Sequence, residues 1–153
     1  IFRAKQSVHH IAARLPSLRS FLERNSSTFF FIWNRIVPYK DGTILLAVAV
    51  FHRQLAVGED PAFDNLLNTF LEADETDADK YRNSRFKYLT QMVEAPMAVK
   101  RGLQFMGGTR PIIFGGKVDQ RHFTGKNYME VDLDVTSSKI ACLTCGPVVC
   151  HSQ

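Results

Sequence analysis

Two apolar segments that follow one another closely constrain the fold of this 153-residue chain more than any other feature. Thr28 to Val37 is rich in aromatic and β-branched residues, and Thr43 to Arg53 is apolar almost throughout. Such segments are typical of strands, and the residues Pro38 to Gly42 between them favour a turn, which predicts an antiparallel hairpin. Because both faces of the first segment are apolar, both need to be covered, and we expect the hairpin at the centre of a sheet.

Two amphipathic helices are predicted, one before and one after this hairpin. Pro16 to Arg24 places its apolar residues on one helical face, with Ser17 as a candidate cap. Asp60 is a favourable N-cap before Pro61, and the apolar residues after them repeat at helical spacing. Those residues are Phe63, Leu66, Leu67, Phe70 and Leu71. A further helix is predicted from Pro96 to about Gln104.

The second half of the chain predicts short strands. Ser84 to Glu94 alternates well enough for a half-buried strand, and Pro111 to Phe114 is a short apolar strand between two glycine pairs. Lys117 to Phe123 and Tyr128 to Val135 predict a pair of strands, because residues 124–127 favour a turn. Together with the helices, these segments indicate a single α+β domain with a largely antiparallel sheet and packed amphipathic helices.

Composition and charge exclude several classes of protein. A hydrophobic fraction of 45% is too high for a disordered chain. The longest apolar run, Thr43 to Phe51, is much shorter than the roughly 20 residues that span a bilayer, so any membrane association is expected to be peripheral. The net charge of +4 comes from dispersed basic residues, which argues against nucleic acid and leaves an anionic lipid surface open as a partner. Five acidic residues between Glu72 and Asp79 predict a solvated loop, with cation binding as the alternative.

All three cysteines, Cys142, Cys145 and Cys150, lie in the last twelve residues. This is not the distribution of a disulfide framework, so an intracellular or organellar compartment is expected. The spacing, with His151 after the last cysteine, is similar to that of a zinc or iron-sulfur site. Because no second cysteine pair exists and Pro147 interrupts the segment, we interpret the cysteines as small apolar residues and expect no metal and no cofactor. A redox-active pair is the remaining alternative.

One predicted strand carries acidic residues on a single face. Glu130, Asp132 and Asp134 alternate with apolar residues, and three carboxylates in succession repel one another unless they are compensated. We expect a ladder of salt bridges across neighbouring strands, in which the bases are Arg85 with Lys87 or Lys117 with Arg121. Simple solvent exposure and a metal or ligand site are the alternatives.

Four residues are candidates for ligand binding. Trp33 shares a strand face with Phe29 and Phe31, which predicts core packing or, alternatively, an aromatic-lined pocket suited to a lipid or pigment tail. Lys100, Arg101 and Arg110 lie near the paired glycines, where they could meet phosphate oxygens or form an ordinary solvated face. The histidines are scattered and none has a recognised spacing to a nucleophilic Ser or Cys, so we predict no catalytic residues.

The order of four segments resembles a known domain. LRSFLERNSSTFFFIWNRIVP, EDPAFDNLLNTFLEAD, RNSRFKYLTQMVEAPMAVKRGL and GGKVDQRHFTGKNYMEVDLDVTSS are similar to the C-terminal domain of the plant enhanced disease resistance two family, which is also found in protists. The resemblance covers Leu18 to Ser138 and implies an extension at residues 1–17 and a short Cys-containing tail at residues 139–153. Compared with the family, a first strand region and a long apolar helix after Ser138 have no counterpart here, so we expect a fold that is incomplete at both ends.

The resemblance also implies a setting for the domain. In the plant proteins it follows pleckstrin-homology and lipid-transfer (START) domains, which implies a membrane- or lipid-linked context and no catalysis. We therefore expect a non-catalytic binding module whose partner is a lipid or a membrane-associated protein. The alternative is a structural accessory subunit of a larger, organellar membrane protein complex.

Overall fold

The computed structural model describes residues 8–39, 43–54, 56–73, 77–88, 112–113, 117–139 and 142. In chain order, its helices and strands are α1 (Ile11–Arg14), α2 (Pro16–Arg24), β1 (Phe30–Pro38), β2 (Ile44–His52), α3 (Pro61–Leu71), α4 (Ala78–Arg85), β3 (Lys87–Tyr88), β4 (Ile112–Ile113), β5 (Asp119–Gly125) and β6 (Tyr128–Asp134). A short 3-10 turn at Val135–Ser137 follows β6.

The main sheet has four strands in the order β2-β1-β6-β5. The β1/β2 and β5/β6 pairs are antiparallel, while β1 and β6 run parallel to each other. Strands β3 and β4 form a separate antiparallel pair. The α+β class and the largely antiparallel sheet are therefore confirmed, and so are both predicted strand pairs.

Only half of the hairpin is central. Strand β1 is paired on both sides, as predicted, and most of its side chains are buried. Strand β2 is at the edge of the described sheet, and most of its side chains are exposed. Within the described sheet, the prediction of a central hairpin therefore holds for β1 but not for β2, because an apolar sequence indicates that a strand needs cover but not whether a neighbouring strand supplies it.

The strands β1 and β6 are covered on both faces. One face carries Trp33 and Val131 and packs with Phe70 and Leu71 of α3. The opposite face carries Ile32 and packs against helices α1 and α2. Because side chains alternate along a strand, the acidic residues Glu130 and Asp132 of β6 lie on the side of α1 and α2.

The two predicted helices are present. Helix α2 has the predicted bounds, but its cap is Leu15 instead of Ser17, because Pro16 already occupies the first helical position. Helix α3 begins as predicted, with Asp60 Oδ1 accepting a hydrogen bond of 3.0 Å from the Phe63 amide.

Helix α4 differs from the prediction of a loop followed by a strand that starts at Ser84. The guanidinium of Arg82 donates to the carbonyls of Phe70 and Leu71, at 2.9 and 2.6 Å, and so satisfies the end of α3. This tertiary contact stabilises a helix that its own residues hardly predict. The predicted helix from Pro96 and both glycine pairs lie outside the described residues. No helix in the described part of the chain is long and apolar enough to cross a bilayer.

Candidate functional site

An apolar cavity of about 880 Å³ lies between the sheet and helices α3 and α4. Helix α3 contributes its predicted apolar face, Phe63, Leu66, Leu67 and Phe70. The hairpin contributes Phe29, Phe31 and Phe51, and the remaining apolar lining is Tyr81, Phe86 and Met129. The ring centroids of Phe31 and Phe86 are 6.1 Å apart, so aromatic contacts connect the sheet to the end of α4.

The cavity is open to solvent at the apolar face of α3. Leu66 is 67% exposed, Phe63 is 45% exposed, and Phe51 on β2 is 53% exposed. An amphipathic helix normally buries this face against a core, but here Asp64 is its only buried residue among the described positions of α3. The helix therefore leaves a contiguous apolar surface that a ligand or partner can cover.

Two arginines stack on aromatic residues of the cavity lining. The Arg53 guanidinium lies 5.4 Å from the Phe63 ring centroid, and the Arg85 guanidinium lies 4.0 Å from that of Tyr81. Arg53 also forms a salt bridge with Asp64, and its hydrogen bond lowers the pKa of that carboxyl, with a further contribution from the Gly58 amide. The cavity thus has an apolar interior and a charged rim.

The predicted ligand residues are only partly placed by the structure. Trp33 is on the same sheet face as Phe29 and Phe31, but its side chain is only 8% exposed and packs in the hydrophobic core. The guanidinium carbon of Arg35 lies 4.5 Å from the centroid of the Trp33 ring. Its two aromatic neighbours, and not Trp33 itself, line the cavity. Lys100, Arg101 and Arg110 lie outside the described residues.

The residues missed by the sequence patterns are those of α3. The spacing of its apolar residues predicts an amphipathic helix, and the apolar face of that helix provides one wall of the cavity. No signal in the sequence separates an apolar face that packs against a core from one that lines a cavity, because both need the same residue types.

A second cavity, of about 760 Å³, lies beside the N-terminal segment. Its lining includes Arg14 and Arg121 but also Asp119 and Asp134. Because charges of both signs line it, this cavity favours no ligand charge and has less apolar surface than the first.

The acidic face of β6 binds the N-terminal segment. The two carboxyl oxygens of Glu130 accept hydrogen bonds from the amides of Ile11 and Ala12, at 2.6 and 2.8 Å. One oxygen of Asp132 accepts from the His10 amide and lies 3.0 Å from His9 Nδ1, and the other accepts from Asn34 Nδ2 at 3.0 Å. Both carboxyl groups are fully buried. They therefore accept hydrogen bonds from the amides at the start of helix α1, which water cannot reach at this buried position.

The predicted salt-bridge ladder is therefore wrong for Glu130 and Asp132. Their partners are backbone amides, an asparagine and a histidine, since the segment 9–12 covers this face of β6. Asp134 accepts from the amide and hydroxyl of Thr136 and thereby stabilises the turn after β6.

Burial changes the pKa of Glu130. Removal from water raises its pKa to about 8, the neighbouring Asp132 adds to the rise, and the amide hydrogen bonds oppose it. The raised pKa favours the neutral form of this carboxyl, which reduces the repulsion between the two acids.

His10 fixes the geometry of this contact. It has a left-handed backbone, with φ of 54°, at the cap of α1. Its ring stacks on Phe123 with centroids 4.3 Å apart and lies 3.0 Å from the Tyr128 hydroxyl. Burial lowers the pKa of His10, against the opposing charge of Asp132. These contacts offset the conformational cost of a positive φ in a non-glycine residue.

A third histidine lies behind the apolar cavity. Burial lowers the pKa of His122 to about 4, so this imidazole is neutral at pH 7. Its ring has edge contacts with Phe70 and Phe86, both of which line the cavity. Asp79 is 3.7 Å from its Nδ1, which is too long for a hydrogen bond. His122 therefore supports the aromatic wall as a neutral ring.

Cys142 has a structural contact. Its thiol is free and donates to the Val135 carbonyl at 3.3 Å. Cys145 and Cys150 lie outside the described residues, and so do both glycine pairs. Within the described ranges, no group of three or more His, Cys, Asp or Glu side chains is placed to hold a metal ion.

Comparison with known proteins connects this fold to a family. The family described as Protein ENHANCED DISEASE RESISTANCE 2, C-terminal matches residues 1–148, which include the predicted extension at residues 1–17 and residues 139–148 of the predicted tail. A protein from Arabidopsis thaliana, Protein ENHANCED DISEASE RESISTANCE 2-like, is 29% identical over 85 residues. This similarity covers 56% of the chain and 11% of that relative. No solved structure matches the chain.

The family match spans nearly the whole sequence and includes the segment 9–12 that packs against β6, the hairpin and helix α3. The chain therefore belongs to the enhanced disease resistance 2 C-terminal family.

Proposed function

We propose that this domain is a non-catalytic binding module whose apolar cavity receives the hydrocarbon chain of a lipid. The observation that carries the proposal is the open apolar face of helix α3, with Leu66 67% exposed above a cavity of about 880 Å³. This volume lies within the range of roughly 300–1,000 Å³ that is common for small-molecule sites. The membrane- or lipid-linked setting that the family resemblance implies is compatible with such a ligand.

Burial of a hydrocarbon chain supplies enough free energy for binding. Each methylene removed from water contributes about 0.8 kcal/mol, so ten buried methylenes contribute about 8 kcal/mol. Ordering of the ligand and the loss of its translational freedom oppose this gain by several kcal/mol. With a cost of about 4 kcal/mol, the remaining 4 kcal/mol corresponds to a Kd of about 1 mM for ten methylenes, and each further buried methylene lowers Kd about fourfold.

The proposal is tested with a fluorescent fatty acid and native mass spectrometry. The wild-type chain is expected to bind one molecule, and Leu66→Glu is expected to weaken binding at least tenfold, since it places a carboxylate at the mouth of the cavity. Val57→Glu is the matched control, because Val57 is 85% exposed and is not among the described lining residues.

Two results would contradict a lipid site. One is a wild-type chain that binds no alkyl chain in either assay. The other is an equal loss of binding in Leu66→Glu and Val57→Glu, which would show that the added charge acts on the whole protein and not on the cavity.

We also propose, as a second candidate, a structural role in a complex with a membrane-associated protein. The supporting observation is strand β2, whose Leu45, Val48 and Val50 are each about 40% exposed at the edge of the described sheet. An exposed apolar edge strand is a surface for pairing with another chain. Val48→Lys should then reduce copurification with fixed-stoichiometry partners, whereas a wild-type chain that is purified alone and stays monomeric at high concentration would contradict this role.

A further inference from the structure

Arg53 and Arg85, at the rim of the cavity, both stack on aromatic rings, but their positive charges have different partners. Arg53 has the Asp64 carboxylate as its partner and also donates to the Ala56 carbonyl at 2.9 Å. Arg85 donates to the Ser84 hydroxyl at 3.3 Å and has no carboxylate partner within the described part of the chain. No acid in the described part of the chain therefore neutralises its charge.

A second cation adjoins Arg85. Lys87 also lines the cavity, and no described carboxylate lies within salt-bridge distance of it. The acid in the described lining is Asp60, and its carboxylate already accepts from the Phe63 amide as the cap of α3. Among the described residues of the lining, positive charges therefore outnumber negative ones beside the apolar interior.

Arg85 also lies in the last turn of α4, where a cation is favourable to the helix dipole. That role needs only a charge near the helix end. The helix dipole does not require that the Arg85 side chain lie at the cavity. It also does not explain why Lys87, which lies beyond the end of α4, lines the same cavity. The position of both cations beside an apolar cavity is the feature that points to a ligand with two different ends.

We propose that the cavity selects amphiphiles with an anionic head, carboxylate or phosphate, and that Arg85 and Lys87 hold this head at the rim. This inference rests on the proposed lipid site, since the hydrocarbon chain occupies the cavity described above. The guanidinium binds either anion through charge-assisted hydrogen bonds, and the lysine adds a second positive charge.

The test compares ligands that differ in the head alone. A fluorescent stearic acid and its methyl ester are titrated at pH 8 and low ionic strength into the full chain. A lysophosphatidic acid and inorganic phosphate are then used as competitors. The acid should bind about tenfold more tightly than the ester, and this preference should decrease with added salt.

The variant for this test is Arg85→Gln with Lys87→Gln. Both side chains belong to exposed residues, so the fold should be retained, and this is checked by circular dichroism. The double variant should lose the preference for the acid while the affinity for the ester stays unchanged. Lys80→Gln is the matched control, because Lys80 is an exposed cation of α4, paired with Asp77, and is not in the described lining.

The outcomes separate this inference from the proposed function. Binding of neither acid nor ester would overturn the lipid site itself. Equal affinities for acid and ester, or a preference that the double variant retains, would overturn head selection alone. Displacement of the bound fluorescent acid by lysophosphatidic acid would show that the rim also accepts a phosphate head. Displacement by inorganic phosphate but not by lysophosphatidic acid would overturn the selection of amphiphiles.

Discussion

Replacement of Glu130 by alanine should destabilise the domain by about 4 kcal/mol. The two carboxyl oxygens accept from the amides of Ile11 and Ala12, and the side chain is fully buried. Each buried donor left without a partner costs about 1–3 kcal/mol, so two cost about 2–6 kcal/mol. Because small domains are stable by only about 5–15 kcal/mol, this is a large share of the total.

Urea denaturation followed by circular dichroism measures this loss. A loss of about 4 kcal/mol should also lower Tm by roughly 8–16 °C for a chain of this size. In hydrogen exchange, the amides of residues 11 and 12 should lose protection in Glu130→Ala before the rest of the sheet does, since their acceptor is gone.

Glu23→Ala is the control, because Glu23 is an exposed acid on helix α2. Its unfolding free energy should stay within about 0.5 kcal/mol of wild type. If the unfolding free energy of Glu130→Ala is also within about 1 kcal/mol of the wild-type value, the carboxyl does not satisfy these amides in the way that the distances indicate, and the reasoning is refuted.

Three other predictions concern pH, a turn and a cap. Between pH 6.5 and 8, stability should fall as pH rises, by at most about 1.4 kcal/mol per unit, because the folded state keeps the Glu130 proton up to a pKa of about 8. Below pH 6.5, the lowered pKa of His122 makes the unfolding free energy rise with pH, so the two effects oppose each other and stability should change little there. In Glu130→Gln, the fall in stability between pH 6.5 and 8 should be absent in urea titrations. Gly58→Ala should lower the unfolding free energy by about 1 kcal/mol in the same assay, because Gly58 has a φ of +94° and the added Cβ would meet no neighbouring atom. An unchanged urea midpoint would contradict a positive φ at this residue. Asp60→Ala should cost about 1 kcal/mol through loss of the cap of α3, whereas Asp60→Asn should retain most of the stability.

Features with local signals could be predicted well. Helix α3 begins with Asp60 and Pro61 because a cap and a first-turn proline act within the helix itself. The hairpin of β1 and β2 follows from two apolar segments and a short turn. Helix α4 was not predicted, because a contact between Arg82 and the end of helix α3 stabilises it, and such a contact has no local signal in the sequence.

The candidate site could be predicted only in part. Its residue types were visible in Phe29, Phe31 and the apolar face of α3, and an aromatic-lined pocket was one of the alternatives. Whether such residues fill a core or surround a cavity depends on how far α3 stands from the sheet. That distance is set by packing between elements and has no local signal.

By itself, the sequence determined the class of the fold, the strand pairs, helix α3 and the requirement that the acids of β6 be compensated. The tertiary structure decided how they are compensated, because the amides that bind Glu130 come from residues 118 and 119 positions away along the chain. It also decided that β1 and β6 pair in parallel and that β2 is left at the edge of the described sheet. Propensity and periodicity act over a few residues, whereas these contacts depend on which distant segments the core brings together.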